Sequence, residues 1–312
     1  MNVLMGAFLF LACAQASGGV SGERELRGTD PIGRRGNALI YSVSGMSVDE
    51  RGNFYVTDLL EYAVKKFDSR GNFIGRTGRR GGAPGEFRAP SLSVASGGRL
   101  VVVQVEDPRI EVFDTGLVFR NEFSVSGGWP VDLSYAGRGA FALALCGDST
   151  APEVLLYRFG NPAATRRFRL APTGYRHPLY TAVRIAVSPG GNIVAAYLFM
   201  NRVETYSTSG RLLRRFALGP MPSGTGNAAD RRIPEDTYFR KVLIDRRGNI
   251  VLLGGNQAPH PGRDLFICSP SGNLIHTFVL PCRPRTVAPG PAHMILATDE
   301  NGTGVIAYTL RY

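Results

Sequence analysis

Lysine is nearly missing from this chain, standing only at Lys65, Lys66 and Lys241, and tryptophan, histidine and cysteine number 1, 4 and 4 in 312 residues. One tryptophan, Trp129, with Tyr175, Tyr180 and Tyr238 scattered, makes no aromatic platform of the kind that single-stranded nucleic acid readers use. No Gly-x-Ser-x-Gly elbow, His-Glu-x-x-His pair or glycine-rich phosphate loop occurs, so the chemistries built on those spacings have no carrier. No apolar run approaches the ~18 residues of a membrane-spanning helix, and no transmembrane span is expected. The 39 Gly and 20 Pro lack the triplet period of collagen, while 44% hydrophobic residues is too many for a disordered chain. Acids are also short, 25 against 36 Lys+Arg, for a formal net charge of +11. What remains is one turn-rich globular domain able to bury a substantial core.

Residues 3–12 form a short apolar run followed by Ala14-Gln15-Ala16, a small-x-small pattern that a signal peptidase reads. Residues 1–16 are therefore expected to be a signal peptide and 17–312 the mature domain. Phe10-Leu11-Ala12-Cys13 offers a second version, a lipobox with Cys13 as the lipidated residue. Either version puts the protein outside the cytoplasm: periplasmic, secreted, or tethered to a membrane by lipid.

A unit then recurs: a β-rich run, a Gly turn, a second run, a loop, a third run ending in an aromatic, another Gly turn and a fourth run. The first copy is Gly45 to Asp58 followed by Ala63 to Ile74, with Gly52 and Gly71 at turns that call for positive φ. Five more copies follow. The last has three strands, and Arg24 to Arg27 is left over at the other end. These predict an all-β, six-bladed propeller of four-stranded antiparallel blades, closed by the amino-terminal strand joining the last blade.

Val48-Asp49-x-x-Gly52-Asn53-x-Tyr55-Val56-Thr57-Asp58, then Val64-Lys65-Lys66-Phe67-Asp68-x-x-Gly71, then Gly75 to Pro90, resembles the NHL-type repeat of six-bladed propellers. The resemblance is strongest over residues 40–115, fair over 182–280 and faint in the third and sixth copies. It implies a strand-and-turn frame, not an activity. Exported bacterial proteins, often lipoproteins, are similar to it.

In such blades the loops after the second and fourth strands share one face, and here these are the long ones. Arginine gathers there, with Arg34, Arg79, Arg80, Arg176, Arg231, Arg232 and Arg285 as the candidate ligand-binding set. Guanidinium groups can hold phosphate or carboxylate in bidentate fashion. The same excess also arises from GC-rich coding, and the rim is then only a solvated basic surface. The expected function is binding or scaffolding, with a partner protein or an anionic envelope glycan or lipid head group; export disfavours nucleic acid. The alternative is a metal-assisted lyase or lactonase with its site in the central pocket of the long-loop face. Its general acid or base candidates are His177 and His260. No motif calls for a cofactor, a metal ion being left open, since two His without a third ligand do not make a zinc site. Asp58, Glu106 and Asp299 end second strands, where they cap turns or bind a cation. Cys268 and Cys282 are either bridged or free thiols.

Overall fold

The computed structural model describes residues 24–312 apart from 138, 148–149, 176, 223–233 and 292, and at 24 and 25 the backbone alone. The leader with Cys13, and Arg176, Arg231 and Arg232, lie outside the described residues.

The repeated Asp-x-x-Gly-Asn signature makes its hairpins by local bonding. Asp49 Oδ1 accepts from the amides of Arg51 (3.0 Å) and Asn53 (2.9 Å), and Asp68 and Asp245 do the same two and four residues on. The glycine between them takes φ of +82° at Gly52 and +90° at Gly71, where a side chain would strain the backbone. Each such turn ends one strand and starts the next.

These hairpins build six sheets. The inner strands are Val43–Val48, Pro90–Ser96, Trp129–Tyr135, Val183–Val187, Phe239–Ile244 and Val287–Pro289, for blades one to six. In blades one to five each is followed outward by three antiparallel strands. The second and third strands are almost wholly buried, as in Phe54–Asp58 and Ile250–Gly254. The core is divided among the blade–blade interfaces: Tyr55 and Phe113 pack between blades one and two, Val242 and Ala196 between four and five, and Leu296 and Phe54 between six and one.

Ring closure occurs a few residues later than expected. Arg24–Glu25 pairs in parallel with the outer strand of blade five, opposite Phe278 and Val279. It is Gly28 to Ile32 that lies antiparallel to Val305–Thr309 in blade six, through bridges at Gly28–Tyr308 and Ile32–Val305. The bond from the Thr29 amide to the Ala307 carbonyl is 3.0 Å. The physical reason is side-chain size: Gly28 sits where a Cβ would fall 2.3 Å from Ile306, so only glycine lets the chain press onto that edge. The amino-terminal segment thus clasps two blades.

Candidate functional site

The inner strands begin at the long-loop face, and four of them carry the same irregularity there. The register slips by one residue at Ser44, Ser91, Val131 and Arg240, giving a β-bulge at the mouth of the central channel. Side chains at this level bond from one blade to the next. Ser44 Oγ donates to the Pro90 carbonyl (2.6 Å), and Arg240 donates to the carbonyls of Pro284 (2.8 Å) and Arg285 (3.2 Å). Arg184, second in the inner strand of blade four, spans its neighbours by donating to Val131 O (2.5 Å) and Arg240 O (3.1 Å).

The mouth is therefore strongly cationic. Arg184, Arg240, Arg283 and Arg285 meet no carboxylate within 4.0 Å among the described residues; the Arg285 guanidinium donates to Ser42 Oγ at 3.0 Å and its amide to Thr298 Oγ1 at 2.6 Å. Burial first, then the positive charges of Arg283 and Arg184, pull Arg240 down to about 10. The acid at this level, Asp132, is already engaged. Its Oδ1 takes Lys241 Nζ at 2.5 Å and its Oδ2 takes the Ile185 amide at 2.8 Å. A buried pair with both carboxylate oxygens satisfied is a structural cross-link between blades three, four and five.

The arginines expected from sequence are sorted by their partners. Arg285 stands at the mouth. Arg34 is ion-paired with Asp299, Arg79 Nε donates to Glu86 Oε1 at 2.7 Å, and the Arg80 guanidinium lies 5.5 Å from the Tyr62 ring centre. Those three belong to the rim. Arg184, Asp132 and Lys241 were missed, yet the sequence carries a signal: each is a charge set among the apolar residues of an inner strand, where a solvated face gives no reason for it.

The residues of the alternative reading are dispersed. His177 Nδ1 accepts from the Leu179 amide at 3.3 Å, capping the short 3-10 turn Pro178–Thr181, and its ring packs 4.7 Å from Tyr180. His260 is gripped by Asp264, with Nδ1 2.9 Å from Oδ1 and its amide donating to Oδ2 at 2.7 Å. Among the described residues the two His share no hydrogen-bond partner. Asp58 accepts from the amides of Tyr41 (2.8 Å) and Ser42 (3.0 Å) and pairs with buried Lys65, and Asp299 caps Thr303, so both act as turn caps. Glu106 is exposed. Among the described residues no group of three or more His, Cys, Asp or Glu could share a metal ion, and guanidinium groups at the mouth repel a divalent cation. These residues do not fit a metal centre. The channel cavity also differs from the expected one. Arg184, Arg240 and the Lys241–Asp132 pair crowd the lumen on the long-loop side, and the open volume lies behind them, along the second halves of the inner strands. Cys268 and Cys282 are free thiols. Cys268 pairs with Leu274 at one end of the outer hairpin, whereas Cys282 follows Val279 at the other. A strand length of roughly 15 Å between them exceeds what a disulfide spans.

No protein-family model matches the chain, and no curated protein matches it in sequence. Solved structures do match by shape. A calcium-binding protein, regucalcin, from Agrobacterium tumefaciens superposes with a TM-score of 0.60 at 13% identity, over 94% of this chain and 98% of that one. A luciferin-regenerating enzyme gives 0.58 at 12% identity, over 87% and 92%. A streptogramin B lyase gives 0.55 at 13%, over 88% and 84%. At such identities the likeness is one of fold, and it makes this chain a six-bladed β-propeller.

Proposed function

We propose that this is an extracytoplasmic, NHL-like propeller that serves as a binding or scaffolding module, and that its ligand is an anionic group of the cell envelope, a glycan or a lipid head group, or an acidic partner protein. One observation carries the reading. Arg184, Arg240, Arg283 and Arg285 converge on the channel mouth with no carboxylate to neutralise them among the described residues, while the rim arginines Arg34 and Arg79 have theirs. Holding like charges together costs free energy that a bound anion offsets. Bidentate guanidinium contacts then give that anion a fixed orientation. Exposed Trp129 opens the inner strand of blade three, beside this mouth, and offers a ring face for a sugar.

The test is binding of purified protein to an anionic polysaccharide such as polygalacturonate, against neutral dextran, at rising salt. Arg240→Glu with Arg285→Glu is expected to weaken the polygalacturonate affinity by about tenfold or more, since each close charge contact contributes on the order of 1 kcal/mol. Affinity unchanged by that double reversal removes the mouth from the ligand surface.

The alternative, a lyase or lactonase, is favoured by one geometry: His260 is oriented by a wholly buried Asp264, the arrangement a general base needs. The fold is shared with a streptogramin B lyase and a luciferin-regenerating enzyme. Turnover of a lactone panel that disappears in His260→Ala supports it; a panel left untouched by the parent protein counts against it.

A further inference from the structure

Arg184, Arg240 and the Lys241–Asp132 pair form a plug in the channel, and on its far side lies a cavity of about 290 Å³, walled by residues of all six inner strands. At about 30 Å³ per molecule that is space for on the order of ten waters, near the lower bound of small-ligand sites. The apolar part of its wall comes from part-exposed Val48, Val187 and Ile244, with the edges of Met46, Val94 and Leu133 between them. Ser47, Ser93 and Ser134 add hydroxyls, and Ser134 Oγ already accepts from the Val187 amide at 3.1 Å.

The inner end is charged. Lys241 lines the cavity, and its ammonium carries three donors, of which Asp132 engages one. Behind it stand Arg184 and Arg240, so three cations face a single carboxylate across blades three to five. Apolar walls do not screen that excess positive charge as water would. The rim carboxylates keep their charge but lie at the other end of the cavity, in the turn that ends the first inner strand, roughly 13 Å along the strands from the level of Lys241. Asp49 caps its own turn and takes the Tyr55 hydroxyl at 3.0 Å, and Glu50 takes the Gly97 amide at 2.7 Å.

We infer that this cavity is a second binding site, for a small organic carboxylate with a short apolar body, its carboxylate directed to Lys241 and its hydrocarbon part against the inner strands. A neutral hydrocarbon leaves two of the ammonium's three donors without an acceptor from the ligand. The site is separated from the anionic-ligand mouth by the plug and does not depend on that reading.

Octanoate is the probe, titrated calorimetrically into the full chain, with octanol as the neutral counterpart. Octanoate is expected to bind at least about tenfold more tightly than octanol, the difference a single charge-assisted contact makes. Lys241→Met removes the ammonium but strands Asp132, so it is paired with Asp132→Asn to keep the ring folded. That double variant should lose the preference for octanoate. Val187→Phe, which fills the cavity and leaves the plug intact, should lose both ligands while polygalacturonate binding at the mouth persists. Octanoate that fails to bind the parent chain at millimolar concentration, or that binds the double variant and Val187→Phe as well as the parent, overturns the assignment. Loss of polygalacturonate binding alone bears only on the mouth.

Discussion

Glu111 shows how a single buried acid ties stability to pH. It is wholly buried in the third strand of blade two, its Oε1 accepting from Gln104 Nε2 at 2.7 Å. Burial pushes its pKa up to about 7, with Glu122 adding to the rise and Arg109 opposing it. The folded chain therefore holds a proton that the unfolded chain has already released above its ordinary value of 4.5. Stability from this group is present on the acid side and is lost as pH rises through about 7. Glu111→Gln should make the protein more stable by roughly 1–3 kcal/mol at about pH 8 and change it little at about pH 5, as read by denaturant unfolding. Lys65 is the opposite case. Its ammonium is buried against Asp58 at 3.3 Å, with Glu61 beside it, so Lys65→Met strands two acids and should cost about 3–5 kcal/mol. A variant within 1 kcal/mol of the parent would show those acids to be hydrated. None of this was legible in the chain's letters, because Lys65 and Glu111 look like ordinary solvated charges until the blades pack over them.

Strands and turns were legible. The Asp-x-x-Gly-Asn spacing is itself a set of hydrogen bonds, Asp68 to Asn72 as much as Asp49 to Asn53, so local sequence suffices to write the hairpin. Closure was legible only to within a few residues. The sequence marked Arg24 to Arg27 as strand-like, but which residues face Val305–Thr309 depends on where a side chain must vanish, and that is Gly28. Gly28→Leu forces carbon into Ile306 and Tyr308. Overpacking of this kind costs about 1–3 kcal/mol, or several degrees of thermal midpoint. A midpoint equal to the parent's would mean that the clasp is not part of the folded unit. Truncation through residue 32 should be worse than truncation through residue 25, since it removes the blade six pairing as well as the blade five one.

At the scale of the whole molecule, the six-bladed ring could be read before any coordinates, with arginine expected to gather on its long-loop face. The division of that arginine could not. Sequence placed Arg34, Arg79, Arg80 and Arg285 together, and folding gives Arg34 and Arg79 carboxylate partners while gathering Arg184, Arg283 and Arg285 around Arg240. Chain-distant pairing decides this, and no local pattern encodes it. With a net charge of +11, long-range attraction to an anionic surface should fall steeply as ionic strength rises. Contact at the mouth, being partly buried, should persist further. Binding isotherms at several salt concentrations separate the two: a single slope shared by the parent and by Arg240→Glu would assign all the affinity to the diffuse field.

The bulges at Ser44, Ser91, Val131 and Arg240 insert one extra residue at the long-loop end of four inner strands without shifting the pleat of the strand beyond it. A serine or an arginine is accommodated there by the same backbone. The ring is in this sense a fixed frame with interchangeable keys, so Ser44→Arg or Arg240→Ser should re-tune what the mouth accepts while the hydrophobic seams between blades stay as they are.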